Sequence, residues 1–84
     1  MITIYTTHYC PYCHAAKGLL QSKGVKFCEI DVSEEDDFDD LVKKTGWKTV
    51  PQIFVGEKMI GGFQELSKLN SEGKLDELLK ALPD

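Results

Sequence analysis

No run of eighteen apolar residues occurs in this 84-residue sequence, which excludes an ordinary membrane-spanning helix. The opening residues, Met1-Ile2-Thr3-Ile4, have neither the basic start nor the long apolar block of a secretory leader. The expected location is therefore the cytoplasm, where thiols are kept reduced. Cysteine is sparse, and three residues do not build a disulfide framework. Basic patches are missing too: the net charge is −4, which disfavours nucleic-acid partners. There is no internal repeat, linker or low-complexity tail. The balance of 42% hydrophobic and 29% charged residues is that of an ordinary globular protein, so residues 1–84 read as a single domain of modest stability.

What is present centres on Cys10-Pro11-Tyr12-Cys13. The preceding residues 1–6 alternate like a strand, and Pro11 to Lys23 reads as a helix, with proline in its first turn and Gly24 ending it. The thiol pair thus falls where a strand hands over to a helix. Unpartnered amides and the helix dipole put positive potential there, and a thiolate, the nucleophilic form of cysteine, is stabilised by it. Cys10 stands at the helix start and Cys13 one turn further in, at a spacing that closes a small disulfide. This pattern points to thiol–disulfide exchange. Three other readings compete. Two structural thiols would need no such junction. A zinc half-site needs four ligands, and only Cys28, His8 and His14 remain, scattered along the chain. Cys13-His14 completes the letters of a c-type haem attachment site, which would call for an exported chain and a distal ligand.

The rest of the chain supplies a framework. In the first helix, Ala15, Ala16, Leu19 and Leu20 form an apolar stripe. Val25 to Asp31 reads as a second strand, parallel to the first across a right-handed crossover. Ser33 and Asp36 have the spacing of a capping box, ahead of a helix with Phe38, Leu41 and Val42 inward and Gly46 at its end. Gln52 to Val55 and Lys58 to Ile60 read as an antiparallel hairpin turning at Gly56-Glu57 in the II′ form. Gly61-Gly62 breaks that strand, and Phe63 to Leu69 and Glu72 to Leu82 read as helical. The expected class is α/β: a four-stranded mixed sheet flanked by helices, in the order β-α-β-α-β-β-α.

Three pieces in this order and spacing make the chain resemble the dithiol glutaredoxins of the thioredoxin fold: Cys10-Pro11-Tyr12-Cys13, Thr49-Val50-Pro51 and Gly61-Gly62. The resemblance covers essentially the whole chain and implies glutathione-dependent reduction of protein disulfides and of glutathione mixed disulfides. It makes Cys10 and Cys13 catalytic, Pro51 a cis-proline facing Cys10, and glutathione the co-substrate, with no metal. It places glutathione against Tyr12, Lys48, Thr49, Val50, Pro51, Gly62, Phe63 and Gln64. Its partners would be glutathione and disulfide-bearing or glutathionylated proteins, ribonucleotide reductase being a candidate, and the chain would act as a monomer. Two positions depart from the family pattern. Thr7 stands where a lysine is frequent, and Gln64 where an aspartate is frequent. His8 could supply the absent cation near Cys10. The alternatives implied are a redoxin fed by thioredoxin reductase and a glutathione-ligated iron–sulfur scaffold. Cys28 reads as a small apolar strand residue, His14 as a solvated helix residue, Tyr9 as a cleft-rim aromatic and Trp47 as a packed loop residue.

Overall fold

β1 (Ile2–Thr6) runs through the middle of a four-stranded sheet ordered β2-β1-β3-β4, where β2 is Phe27–Asp31, β3 Gln52–Val55 and β4 Lys58–Gly61. The computed structural model describes residues 1–80. β1 pairs in parallel with β2, matching Ile4 to Glu29, and antiparallel with β3, matching Ile4 to Ile53. The helices are α1 (Pro11–Ser22), α2 (Glu35–Thr45), α3 (Phe63–Ser71) and α4 (Lys74–Lys80). The mixed sheet flanked by helices agrees with the expected class. The expected order was one element short, however. The two helical stretches read at 63–69 and 72–82 are separate helices, and Gly73, at φ +74°, lies between them, so that the second starts at Lys74 and not at Glu72. Residues 81 and 82 of the predicted last helix lie outside the described residues.

Strand alternation sorts the core. Ile2, Ile4 and Ile53 face one side, where they meet Ala16 and Leu20 of α1, Leu66 of α3 and Leu75 of α4, all almost completely buried. Each such large aliphatic side chain contributes on the order of 1.5–3 kcal/mol by leaving water. The stripe predicted for α1 is narrower than its letters suggest. Ala16 and Leu20 are buried and Leu19 half-buried, but Ala15 faces solvent, being 100° around the helix from Ala16. On the other side of the sheet, Tyr5 meets Phe54 edge to face with ring centroids 5.7 Å apart.

α2 begins without the predicted capping box. Its N-cap is Glu34, which makes no side-chain cap bond. The Ser33 hydroxyl instead accepts the His8 amide at 3.0 Å, and the Ser33 amide donates to Asp31 Oδ1 at 2.8 Å. Three acidic residues in the first turn and Lys43 and Lys44 in the last suit the helix dipole, and Gly46, at φ +73°, closes the helix with its amide on the Val42 carbonyl. Only Leu41 of the predicted stripe is buried; Phe38 and Val42 are half-buried. The β3–β4 turn has positive φ at Gly56 and at no non-glycine residue, as a II′ turn requires.

β2 starts at Phe27, two residues later than its sequence suggests. As an edge strand with parallel register it places Cys28 beside Thr3, away from the core. Cys28, read as a small apolar strand residue, is in β2 as expected and is exposed there.

Candidate active site

Three segments meet at one end of the sheet. β1 delivers the chain into the Cys10 turn, the connection from α2 delivers Pro51, and β4 delivers Gly61-Gly62. Cys10 caps α1 from an extended conformation, and its sulfur accepts the Cys13 amide at 3.0 Å. That bond strengthens when the acceptor is anionic, and the unpartnered first-turn amides add to it. The Cys10 thiol also lies 3.5 Å from the Val50 carbonyl oxygen, in donor geometry. The Val50–Pro51 peptide bond is cis. The expected meeting of Cys10 with the Thr49-Val50-Pro51 segment is thus present, with the Val50 carbonyl turned to the sulfur.

Cys13 is 1% exposed and Cys10 9% exposed, both as free thiols. Burial pushes the Cys13 thiol up to about 12 from its ordinary 9.0; its bond and proximity to Cys10 add to this, while the Thr7 backbone and the Lys17 ammonium oppose it. Cys13 is consequently a neutral thiol near pH 7. Only Cys10 has a helix-capping sulfur bond, so the two thiols stand in different environments despite their spacing.

The third segment is shaped by close packing. Gly61 has φ +124°, and a Cβ there would lie 2.8 Å from Glu65 Cγ. A Cβ on Gly62 would lie 3.3 Å from Glu65 Oε1 and 3.4 Å from the Pro51 carbonyl oxygen. The double glycine lets β4 turn into α3 directly beneath the Pro51 segment. Glu65 Oε1 accepts the Gly62 amide at 2.8 Å, one arm of a capping box whose N-cap has no side chain. Next along, the amides of Phe63 and Gln64 open α3 and have no acceptor within the helix. Tyr12 stacks on Phe63 with centroids 6.0 Å apart and 27° between planes, walling the cleft from α1 to α3. Lys48, Thr49 and Gln64 are exposed around it, Val50 is half-buried, and Pro51 and Gly62 are buried.

His8 does not face this cleft. Its Nε2 lies 2.6 Å from Asp31 Oδ2, tying the Cys10 turn to the end of β2. Ser33 chiefly, through its hydroxyl and amide, and His8 less so, hold the Asp31 carboxyl below its ordinary range. The reading of His8 as a cation for Cys10 therefore gives way to a contact with the Asp31 carboxylate at the end of β2. Tyr9 is 80% exposed beside the thiols, and His14 is exposed. Trp47 packs near Gly62, as a loop-packing residue should. Two residues that sequence reasoning passed over support the site. Glu65 was signalled by its three-residue spacing from Gly62. Gln52, fully buried, donates its side-chain amide to the Trp47 carbonyl at 2.7 Å and so closes the loop that holds Pro51; a polar residue opening a buried strand was its signal.

Residues 2–60 match the Glutaredoxin family. The chain belongs to the glutaredoxin family. A Glutaredoxin of Pseudomonas aeruginosa is 49% identical over 95% of this chain and 96% of its own length, and Glutaredoxin 3 of Escherichia coli is 46% identical over 94% and 96%. Among solved structures, a buckwheat glutaredoxin–glutathione complex superposes with a TM-score of 0.85 at 31% identity, covering 94% of this chain and 76% of that one. A glutaredoxin from Brucella melitensis superposes at 0.82 with 46% identity, covering 94% and 87%. As a glutaredoxin, the chain is a thiol–disulfide oxidoreductase.

Proposed function

We propose that Cys10 is the attacking thiol, Cys13 the resolving thiol and glutathione the electron donor. The observation that carries this reading is the Cys10 sulfur set between the Cys13 amide and the Val50 carbonyl, beside Pro51. The Cys10 thiolate attacks a substrate disulfide sulfur. A Cys10–substrate disulfide forms, and the other substrate sulfur leaves as a thiolate that takes a proton from solvent. The Cys13 thiol then loses its proton and attacks Cys10. The Cys10–Cys13 bond forms, the Cys10–substrate bond breaks, and the substrate carries away the electron pair. Two glutathione thiols, oxidised together to glutathione disulfide, return the pair to dithiol. With a glutathionylated protein, Cys10 alone suffices: it takes the glutathione, and a second glutathione thiolate displaces it.

Glutathione fits the cleft as an extended peptide alongside Val50 and Pro51, in the manner of an added strand. Its γ-glutamyl carboxylate suits the open amides of Phe63 and Gln64 at the start of α3. Lys48 and Thr49 flank its glycine end, Gly62 leaves it room, and Tyr12 covers it. The buckwheat relative solved as a glutathione complex supports this reading. Protein disulfides, those of ribonucleotide reductase among them, are the corresponding larger substrates, and a cytoplasmic monomer acting as a single domain is the setting this chemistry suits.

Paired variants test the assignment. Cys10→Ser loses all turnover; retained turnover would refute the nucleophile. Cys13→Ser keeps removal of glutathione from mixed disulfides and loses reduction of protein disulfides; loss of both would refute its role as resolver alone. Glutathione with glutathione reductase should sustain turnover better than thioredoxin reductase with NADPH, and the reverse would reassign the donor.

A further inference from the structure

The buried state of Cys13 poses a problem for the step assigned to it. It must ionise to attack the Cys10 mixed disulfide, yet it is 1% exposed and capped by no charge of its own helix terminus. We propose that Lys17, tethered by Glu29 and Thr6, is an electrostatic positioning residue for the resolving step, assisting Cys13 and not Cys10. This proposal rests on the reading of Cys13 as the resolving thiol.

The geometry comes from two elements. Lys17 follows Cys13 by four positions, so the two lie along one stripe of α1. The parallel register of β1 and β2 pairs Ile4 with Glu29, which puts the Glu29 carboxylate on the same side of the sheet as α1. Lys17 Nζ lies 3.0 Å from Glu29 Oε2, and the buried Thr6 hydroxyl donates to the same oxygen at 2.7 Å. The Thr6 bond first, and the Lys17 bond second, hold the Glu29 carboxyl below its ordinary range, so it remains an anion and an anchor at neutral pH. The Lys17 side chain is 22% exposed, its ammonium held against Glu29. The groups acting on Cys13 are Cys10, which opposes ionisation, and the Thr7 backbone and Lys17, which favour it. Asp31, besides its contact with His8, weakly opposes the ionisation of Glu29.

The step balances without another reactant. The Cys13 proton passes to solvent, the new thiolate forms the bond to the Cys10 sulfur, and the substrate sulfur leaves with the electron pair. Lys17 lowers the cost of the first event. Removal of glutathione through Cys10 alone never ionises Cys13, so Lys17 should be silent there. Lys17 would then favour the protein-disulfide route over the monothiol route within one active site.

The test uses the full chain carrying Cys28→Ser, since the exposed Cys28 thiol would otherwise contribute its own signal. Reduced protein is mixed with a chromogenic bis(nitrobenzoate) disulfide. A phase proportional to reagent reports Cys10 attack, and a reagent-independent phase reports Cys13 releasing the second chromophore. Lys17 is the weakest of the groups acting on Cys13, so its removal lowers the thiolate fraction by about tenfold at most, and the more basic thiolate recovers about half of that on a logarithmic scale. Lys17→Met should therefore slow the second phase by up to about threefold at neutral pH, with the deficit closing as pH rises. Lys17→Arg should restore it. The first phase should be unchanged, both alone and with Cys13→Ser. An unchanged second phase, or equal slowing of both, overturns the proposal. A reagent-independent phase surviving in Cys13→Ser overturns the resolving assignment instead, a signature that no Lys17 variant produces.

Discussion

Gly61→Ala offers a test of how tightly the cleft floor is built. Two costs add. At φ +124° an alanine sits in a region open in practice to glycine, which costs on the order of 1–3 kcal/mol. Its Cβ also falls 2.8 Å from Glu65 Cγ and 3.1 Å from Glu65 Cβ, so Glu65 must swing away and give up the Gly62 amide. A hydrogen bond to a charged acceptor is worth roughly 1.5–3 kcal/mol. Together the loss should be about 4 kcal/mol. At about 4–8 °C per kcal/mol for a chain of this size, that is a fall in Tm of roughly 16–32 °C. Gly73→Ala is the control. It has φ +74° and nothing within 4 Å of the added Cβ, so it incurs only the backbone cost, about 1–2 kcal/mol. Urea titrations of both variants, with Glu65→Ala and the Gly61→Ala/Glu65→Ala double variant, separate the terms. If Gly61→Ala loses no more than Gly73→Ala, or if Glu65→Ala does not soften its effect, the account of the double glycine is wrong.

Two further outcomes follow from buried groups. The Cys13 thiol is raised from 9.0 to about 12 by burial, so the folded chain holds its proton more tightly than the unfolded chain. Its contribution to stability is complete below about pH 9 and lost as pH rises towards 12; Cys13→Ala should show a shallower fall in urea midpoint over that window, and an equal fall would refute the burial argument. Gln52→Glu keeps the shape but removes the donor to the Trp47 carbonyl and buries a carboxyl at a fully enclosed position. It should cost about 3 kcal/mol at neutral pH and less under acid, where the carboxyl is protonated; pH-independent destabilisation would mean the site admits water.

Much of the site was legible in the letters. Cys10-Pro11-Tyr12-Cys13 at a strand-to-helix junction specifies a helix-capping sulfur, because the capping bond runs between Cys10 and the Cys13 amide, three residues apart. Gly61 and Gly46 announce positive-φ backbone that favours glycine, and Gly62 a close approach to Glu65 and the Pro51 carbonyl. Local periodicity also marked nearly every element. It failed where two local signals competed. Ser33 has the right spacing for a cap, but the His8 amide and Asp31 claim it first, and both partners belong to other segments.

The sequence by itself determined the elements, the junction carrying the thiols and the family, since these rest on contacts within a few residues. Tertiary structure alone decided the rest. It made β2 an edge strand, exposing Cys28 and turning Glu29 towards α1, because strand order and register depend on pairing across the whole chain. It drew His8 to Asp31 instead of Cys10. It also set how deeply Cys13 is buried and so how far its thiol is raised, where its place one turn into α1 had shown only that it is the more sheltered of the two.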